Sequence, residues 1–147
     1  MKKIVVSGGF DPVHVGHLDM LKKARELGDH LTVILNTDRF LKEKKDFIFM
    51  KFQERKKILQ EFSCVDRVVR CIDKDETVCE TLTMLSEQSK VDVFANGGDR
   101  KDIKDIPEYR VCKKHNIEMA FDIGGGKVQS SSNLVKQFIN YKEQRPW

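Results

Sequence analysis

The sequence predicts an α/β protein: a Rossmann-like, five-stranded parallel sheet with helices on both faces, in a single domain over residues 1–147. Three observations predict it. Five short apolar runs alternate with segments whose apolar residues recur at helical spacing. Strands that alternate with helices join through right-handed crossovers, so they lie parallel and are covered on both sides. Finally, 147 residues suffice for one hydrophobic core but not for two of ordinary size.

The elements follow in order. Lys3–Ser7 reads as the first strand, and His17–Leu27 as a helix with Leu18, Leu21, Ala24 and Leu27 on one stripe and Gly28 as its stop. Leu31–Asn36 is the second strand. Phe52–Phe62 is helical with Ile58, Leu59 and Phe62 inward, and Asp66–Cys71 is the third strand. Thr77–Ser86 is helical through Val78, Leu82 and Leu85, and Val91–Asn96 is the fourth strand. Pro107–His115 is a helix opened by a proline, for which the first helical position is suited. Ile117–Asp122 is the fifth strand, and Ser130–Tyr141 is a last helix with Leu134, Val135, Phe138 and Ile139 on one face.

Composition narrows the function. Apolar residues make up 39% and charged residues 34%, as expected of a domain with a well-solvated surface, and no apolar run reaches the ~20 residues that span a bilayer. The basic-then-apolar start, Met1–Phe10, runs into a glycine turn and reads as a buried strand, which places the protein in the cytoplasm and away from membranes. A net charge of +4 does not argue for nucleic acid. Cys64, Cys71, Cys79 and Cys112 show neither a C-x-x-C pair nor zinc-ligand spacing with histidine, so they read as reduced thiols, mostly buried, and no metal site is expected. The basic stretches Arg39–Lys45 and Lys51–Lys57 are solvated helix faces or a rim that attracts phosphates.

Three unusual stretches directly follow strands: Gly8–His17, Asn96–Arg100 and Gly124–Ser132. In parallel sheets ligands bind at the carboxyl ends of strands. Gly8 and Gly9 let backbone N–H groups approach an anion closely. His14 and His17 stand three apart at a helix start, so they share one face at the positive end of the helix dipole. The combination suits a phosphate in reaction, with the imidazoles stabilising transferring charge. The alternative is a tight strand-to-helix turn with His14 as a cap and His17 in the core.

GGFDPVHVGH (Gly8–His17) resembles the H-x-G-H signature of the nucleotidyltransferase superfamily, which includes glycerol-3-phosphate cytidylyltransferases and heptose-phosphate adenylyltransferases. ARELGDHLTVILNTD, ERKKIL, VDRVV, DVFANGGDR and SSSNLVKQF continue the likeness in order, over roughly Lys2–Tyr141. The resemblance implies an enzyme that transfers NMP from an NTP, CTP in the first instance, to a small phosphorylated alcohol or sugar and releases pyrophosphate. ATP and a sugar phosphate are the alternative, as is a catalytically weak nucleotide-binding module on the same fold. It implies Mg²⁺ on the triphosphate and a homodimer. His14, His17 and Lys44 would be catalytic. Gly8, Gly9, Phe10 and Asp11 would bind the nucleotide, with Asn96, Gly97, Gly98 and Asp99 near its base and ribose. Lys127, Ser130, Ser131 and Ser132 would grip the β- and γ-phosphates, and Asp38 and Arg55 would meet the acceptor. Lys42, Lys45, Lys56 and Lys57 are expected to be solvated charges.

Two positions depart from the family pattern. Gly9 stands where the family often has Thr or Ser, and Gly125 stands where it usually has an arginine, leaving Lys127 as a point charge rather than a bidentate fork.

Overall fold

The structure is a computed structural model that describes residues 1–96, 103–121, 123 and 131–144. Strands β1 (Lys3–Gly8), β2 (His30–Leu35), β3 (Arg67–Arg70), β4 (Val93–Ala95) and β5 (Glu118–Ala120) form one sheet in the order β3-β2-β1-β4-β5. All four neighbouring pairs are parallel, with Ile4 opposite Leu31 on one side and Val93 on the other. The chain winds outward from β1 through β2 to β3, then crosses back to β4 on the far side of β1. The strand order therefore reverses between β1 and β4, and a crevice opens there at the strands' carboxyl ends.

Alternation along β1 explains the layers. Ile4 and Val6 face a core shared with Leu21 and Ala24 of α1 (Val15–Arg25) and with Phe52 and Leu59 of α3 (Phe52–Glu61). Val5, one residue out of phase, faces a second core with Leu82 and Leu85 of α4 (Cys79–Gln88) and Cys112 of α5 (Tyr109–Lys114). The period of two along a strand thus puts helices on both faces, as the sequence predicts.

Several local expectations are corrected. Asp38–Lys45 forms a helix, α2, that apolar periodicity does not announce. Its start is set by Thr37, whose Oγ1 accepts the Phe40 N–H at 3.2 Å. On α3 it is Arg55, not Ile58, that turns inward with Leu59; Ile58 is exposed. Helix α1 ends at Arg25, with Glu26 as its right-handed C-cap, so Gly28 is not its stop. Gly28 is instead a close-approach position: a Cβ there would lie 2.6 Å from the Lys2 carbonyl oxygen. The last helix, α6, runs Ser131–Gln144, and its expected apolar face is only partly covered, with Phe138 and Ile139 about half exposed. Among the described residues no helix is long and apolar enough to cross a membrane.

The four thiols are free, and three of them are buried. Burial raises the pKa of each, and it pushes Cys112 up to about 12.

Candidate active site

The chain leaves β1 through Gly8 and Gly9, and the next residue, Phe10, takes a left-handed backbone with φ of 51°. Its ring is buried at 3% exposure and meets the His17 ring edge-on at 4.8 Å between centroids. Space dictates the glycines. A Cβ on Gly8 would come 2.9 Å from the Phe10 ring, and one on Gly9 would come 2.7 Å from Leu41 Cδ2 on α2. At Gly9 the Leu41 side chain thus occupies the room that a Cβ would take.

His14 and His17 close the start of α1 reciprocally. The Nδ1 of His14 accepts the Gly16 N–H at 3.0 Å, and the Nδ1 of His17 accepts the His14 N–H at 3.3 Å. Two imidazoles thus form the capping box that a serine and a glutamate usually make. The rings stack 3.8 Å apart at 21°. A nitrogen that accepts a backbone N–H carries no proton, so in both rings the proton sits on Nε2. In that tautomer any hydrogen bond the ring donates comes from Nε2. Capping and presentation of a donor are one arrangement, because the cap selects the tautomer.

Asp11 belongs to the wall of the crevice at the strand ends, but its carboxylate is paired within the protein. It is 2% exposed, and its carboxylate oxygens accept the N–H groups of Phe49 at 2.9 Å and Met50 at 2.6 Å. Lys45 pairs with it at 3.2 Å and also donates to the Asp11 carbonyl at 2.7 Å. Lys45, expected to be a solvated charge, is therefore the counterion of a buried carboxylate.

Arg55 is the larger correction. Expected to meet an acceptor phosphate, it is fully buried. Its Nε donates to the Met50 carbonyl at 2.9 Å. One terminal nitrogen donates to the Gly9 and Asn36 carbonyls, both at 2.8 Å, and the other donates to Asp38 at 2.8 Å. The guanidinium ties the loop after β1, the loop after β2 and the segment between α2 and α3 to one point. Asp38, the other expected acceptor contact, is its ion-pair partner.

A pocket of about 460 Å³ opens at the crevice between β1 and β4. Gly8, Gly9, Phe10, His17, Asn96 and Lys44 line it, which brings most of the described sequence candidates to one place. Lys44 also lies 5.6 Å from the centre of the Phe40 ring. His14 stacks on His17 and is not itself part of the lining. Phe40, Val78, Glu76 and Glu108 line the pocket too, and sequence reasoning missed them: they come from α2, from the segment entering α4 and from the start of α5, with no motif of their own. Gly97, Gly98, Asp99, Lys127 and Ser130 lie outside the described residues. So do the side chains of Ser131 and Ser132, although the backbone of both opens α6. Among the described residues no group of three or more His, Cys, Asp or Glu is placed to hold a metal ion.

A glycine turn, a histidine-capped helix start and a lysine meet around the strand switch. The chain belongs to the cytidylyltransferase-like family, which matches residues 5–142, and it is a nucleotidyltransferase. It is similar to the glycerol-3-phosphate cytidylyltransferase of Bacillus subtilis (strain 168), with 32% identity over 99 residues, 67% of this chain and 73% of that one. It is also similar to the FAD synthase of Thermococcus sibiricus (strain DSM 12597 / MM 739), with 34% identity over 119 residues, 80% of this chain and 77% of the relative. Among solved structures, the lipopolysaccharide core biosynthesis protein from Thermoplasma volcanium GSS1 shares the fold, with a TM-score of 0.68 at 23% identity over 88% of this chain and 99% of that one.

Proposed function

We propose that this nucleotidyltransferase moves CMP from CTP to a small phosphorylated alcohol or sugar. A phosphate oxygen of the acceptor attacks the α-phosphorus, the bond between the α-phosphorus and its bridging oxygen to the β-phosphate breaks, and pyrophosphate leaves with that electron pair. The observation that carries this is the stacked pair His14 and His17, whose Nδ1 atoms cap the positive end of α1 and leave Nε2 as the donor, with His17 on the pocket wall. Such donors strengthen their bonds as charge grows on the α-phosphate oxygens, without giving up a proton. Lys44 on the pocket wall adds a point charge for the phosphates. Mg²⁺ enters as part of the triphosphate substrate. Arg55, with Asp38 as its ion-pair partner, holds the loops that shape the seat.

The choice of CTP rests on the likeness to a relative named for glycerol 3-phosphate and a cytidylyl group. The test is pyrophosphate release with each of the four NTPs against glycerol 3-phosphate and a panel of sugar phosphates. CTP with glycerol 3-phosphate is expected to turn over fastest. Faster release with ATP and a sugar phosphate would replace cytidylyl by adenylyl transfer, and no release with any pair would overturn the assignment.

A further inference from the structure

The pocket walls carry opposite charges. Helix α2 contributes Lys44 and Lys45, while the loop leading into α4 contributes Glu76 and the residue capping α5 contributes Glu108. Glu108 is fixed in place: its Oε1 accepts the Val78 N–H at 3.4 Å, which ties the two glutamate-bearing segments together. The Cys79 thiol donates to the Pro107 carbonyl at 3.4 Å across the same junction. Carboxylates do not serve a triphosphate, since like charges brought together in a pocket cost affinity. The anionic parts of both substrates therefore belong near His17 and the lysines. The glutamate wall needs a group that donates hydrogen bonds and carries no negative charge. A third carboxylate of the lining, Asp11, is neutralised by Lys45, and besides His17 the remaining polar side chains, Ser7, Asn36 and Asn96, are neutral, which suits hydroxyl groups.

We propose that Glu76 and Glu108 are specificity-determining residues that take the hydroxylated end of the acceptor and reject acceptors with a second anionic group there. This rests on the transferase reading above. Rejection by a placed like charge is as much a part of specificity as the attractive contact.

The experiment compares sn-glycerol 3-phosphate with 3-phosphoglycerate, which carries a carboxylate where the first has a terminal hydroxymethyl group. Phosphoethanolamine serves as a cationic third acceptor. Pyrophosphate release is measured for the wild type, Glu76→Gln, Glu108→Gln and the double variant. Glutamine keeps an oxygen for the Val78 N–H, so Glu108→Gln retains the junction. The wild type is expected to favour glycerol 3-phosphate over 3-phosphoglycerate in kcat/KM by on the order of 10–100-fold. The double variant should bring the two within about threefold, mostly through KM for the acceptor, with KM for the NTP little changed. An unchanged preference in a double variant that still turns over would overturn the proposal. So would an effect confined to the NTP or to the Mg²⁺ requirement, because the carboxylates would then face the metal-bound triphosphate. A wild-type preference for phosphoethanolamine would overturn the assignment to hydroxyl groups. If the wild type releases pyrophosphate with no acceptor at all, it is the transferase reading that fails, and this proposal falls with it.

Discussion

Arg55→Met separates a brace from a ligand contact. Methionine matches the length of the arginine stem and removes all of the donors. Four acceptors then lose their partner at once: the carbonyls of Gly9, Asn36 and Met50, and the Asp38 carboxylate. Asp38 can turn partly to water, since its side chain is 40% exposed, but the arginine site is closed. Removing one side of a buried, hydrogen-bonded pair costs about 3–5 kcal/mol. At roughly 2–4 °C per kcal/mol for a domain of this size, Tm should fall by about 6–20 °C. Arg55→Lys should recover only part of this, because three ammonium donors cannot reach four acceptors spread around a planar fork. The assay is thermal unfolding by circular dichroism, together with KM for NTP and acceptor well below the transition. The account expects the large loss of Tm, with any kinetic defect shared by both substrates. A Tm within about 2 °C of wild type, with a tenfold or larger rise in KM for the acceptor alone, would refute the reasoning and make Arg55 an acceptor contact.

Two other perturbations follow from single contacts. Gly9→Ala drives a methyl into Leu41 and should cost about 1–3 kcal/mol in urea denaturation. The Gly9→Ala/Leu41→Ala double variant should be more stable than the sum of the single losses, whereas strict additivity would mean that the two residues do not compete for space. The second concerns pH and Cys112, whose thiol burial pushes up to about 12, above the ordinary thiol range. Below pH 9 both folded and unfolded chains hold the proton, so the thiol leaves stability unaffected. Between pH 9 and 12 only the unfolded chain releases it, so stability falls as pH rises, by up to about 1.4 kcal/mol per pH unit. Cys112→Ala should flatten the alkaline slope of the unfolding free energy, and an unchanged slope would show that this thiol titrates normally in the folded state.

The fold was open to sequence reading because it depends on repeated local patterns. The run Ile4–Val6 and its counterparts specify strands, and apolar stripes between them specify helices on two faces. Helix α2 escaped because it buries little: Leu41 is its one buried residue, and its start is announced by a single threonine cap. In the site, the glycine turn and both histidines were legible, since a short motif fixes their relative places on one turn of helix. Burial of charge was not. Arg55 lies in a basic stretch, and nothing in that stretch separates it from Lys56 and Lys57. Its inward place follows from three carbonyls supplied by loops 5 to 46 residues away. Glu76 and Glu108 were hidden for the same reason, because they meet only when α4 and α5 pack side by side against the sheet.

His14 carries the central claim, since the same side chain caps α1 and, on this account, serves the reaction. His14→Asn separates the two roles. Asparagine is among the best N-caps and can accept the Gly16 N–H as the imidazole does, but it places no donor where Nε2–H stands. The measurement is kcat for pyrophosphate release beside Tm for the same preparation. The account predicts a Tm within a few degrees of wild type and a kcat lowered by roughly 10²-fold or more, the scale of losing one fixed donor to transition-state charge. A variant that keeps both its Tm and its turnover would show that His14 is only a cap, and the catalytic reading of the pair would be wrong.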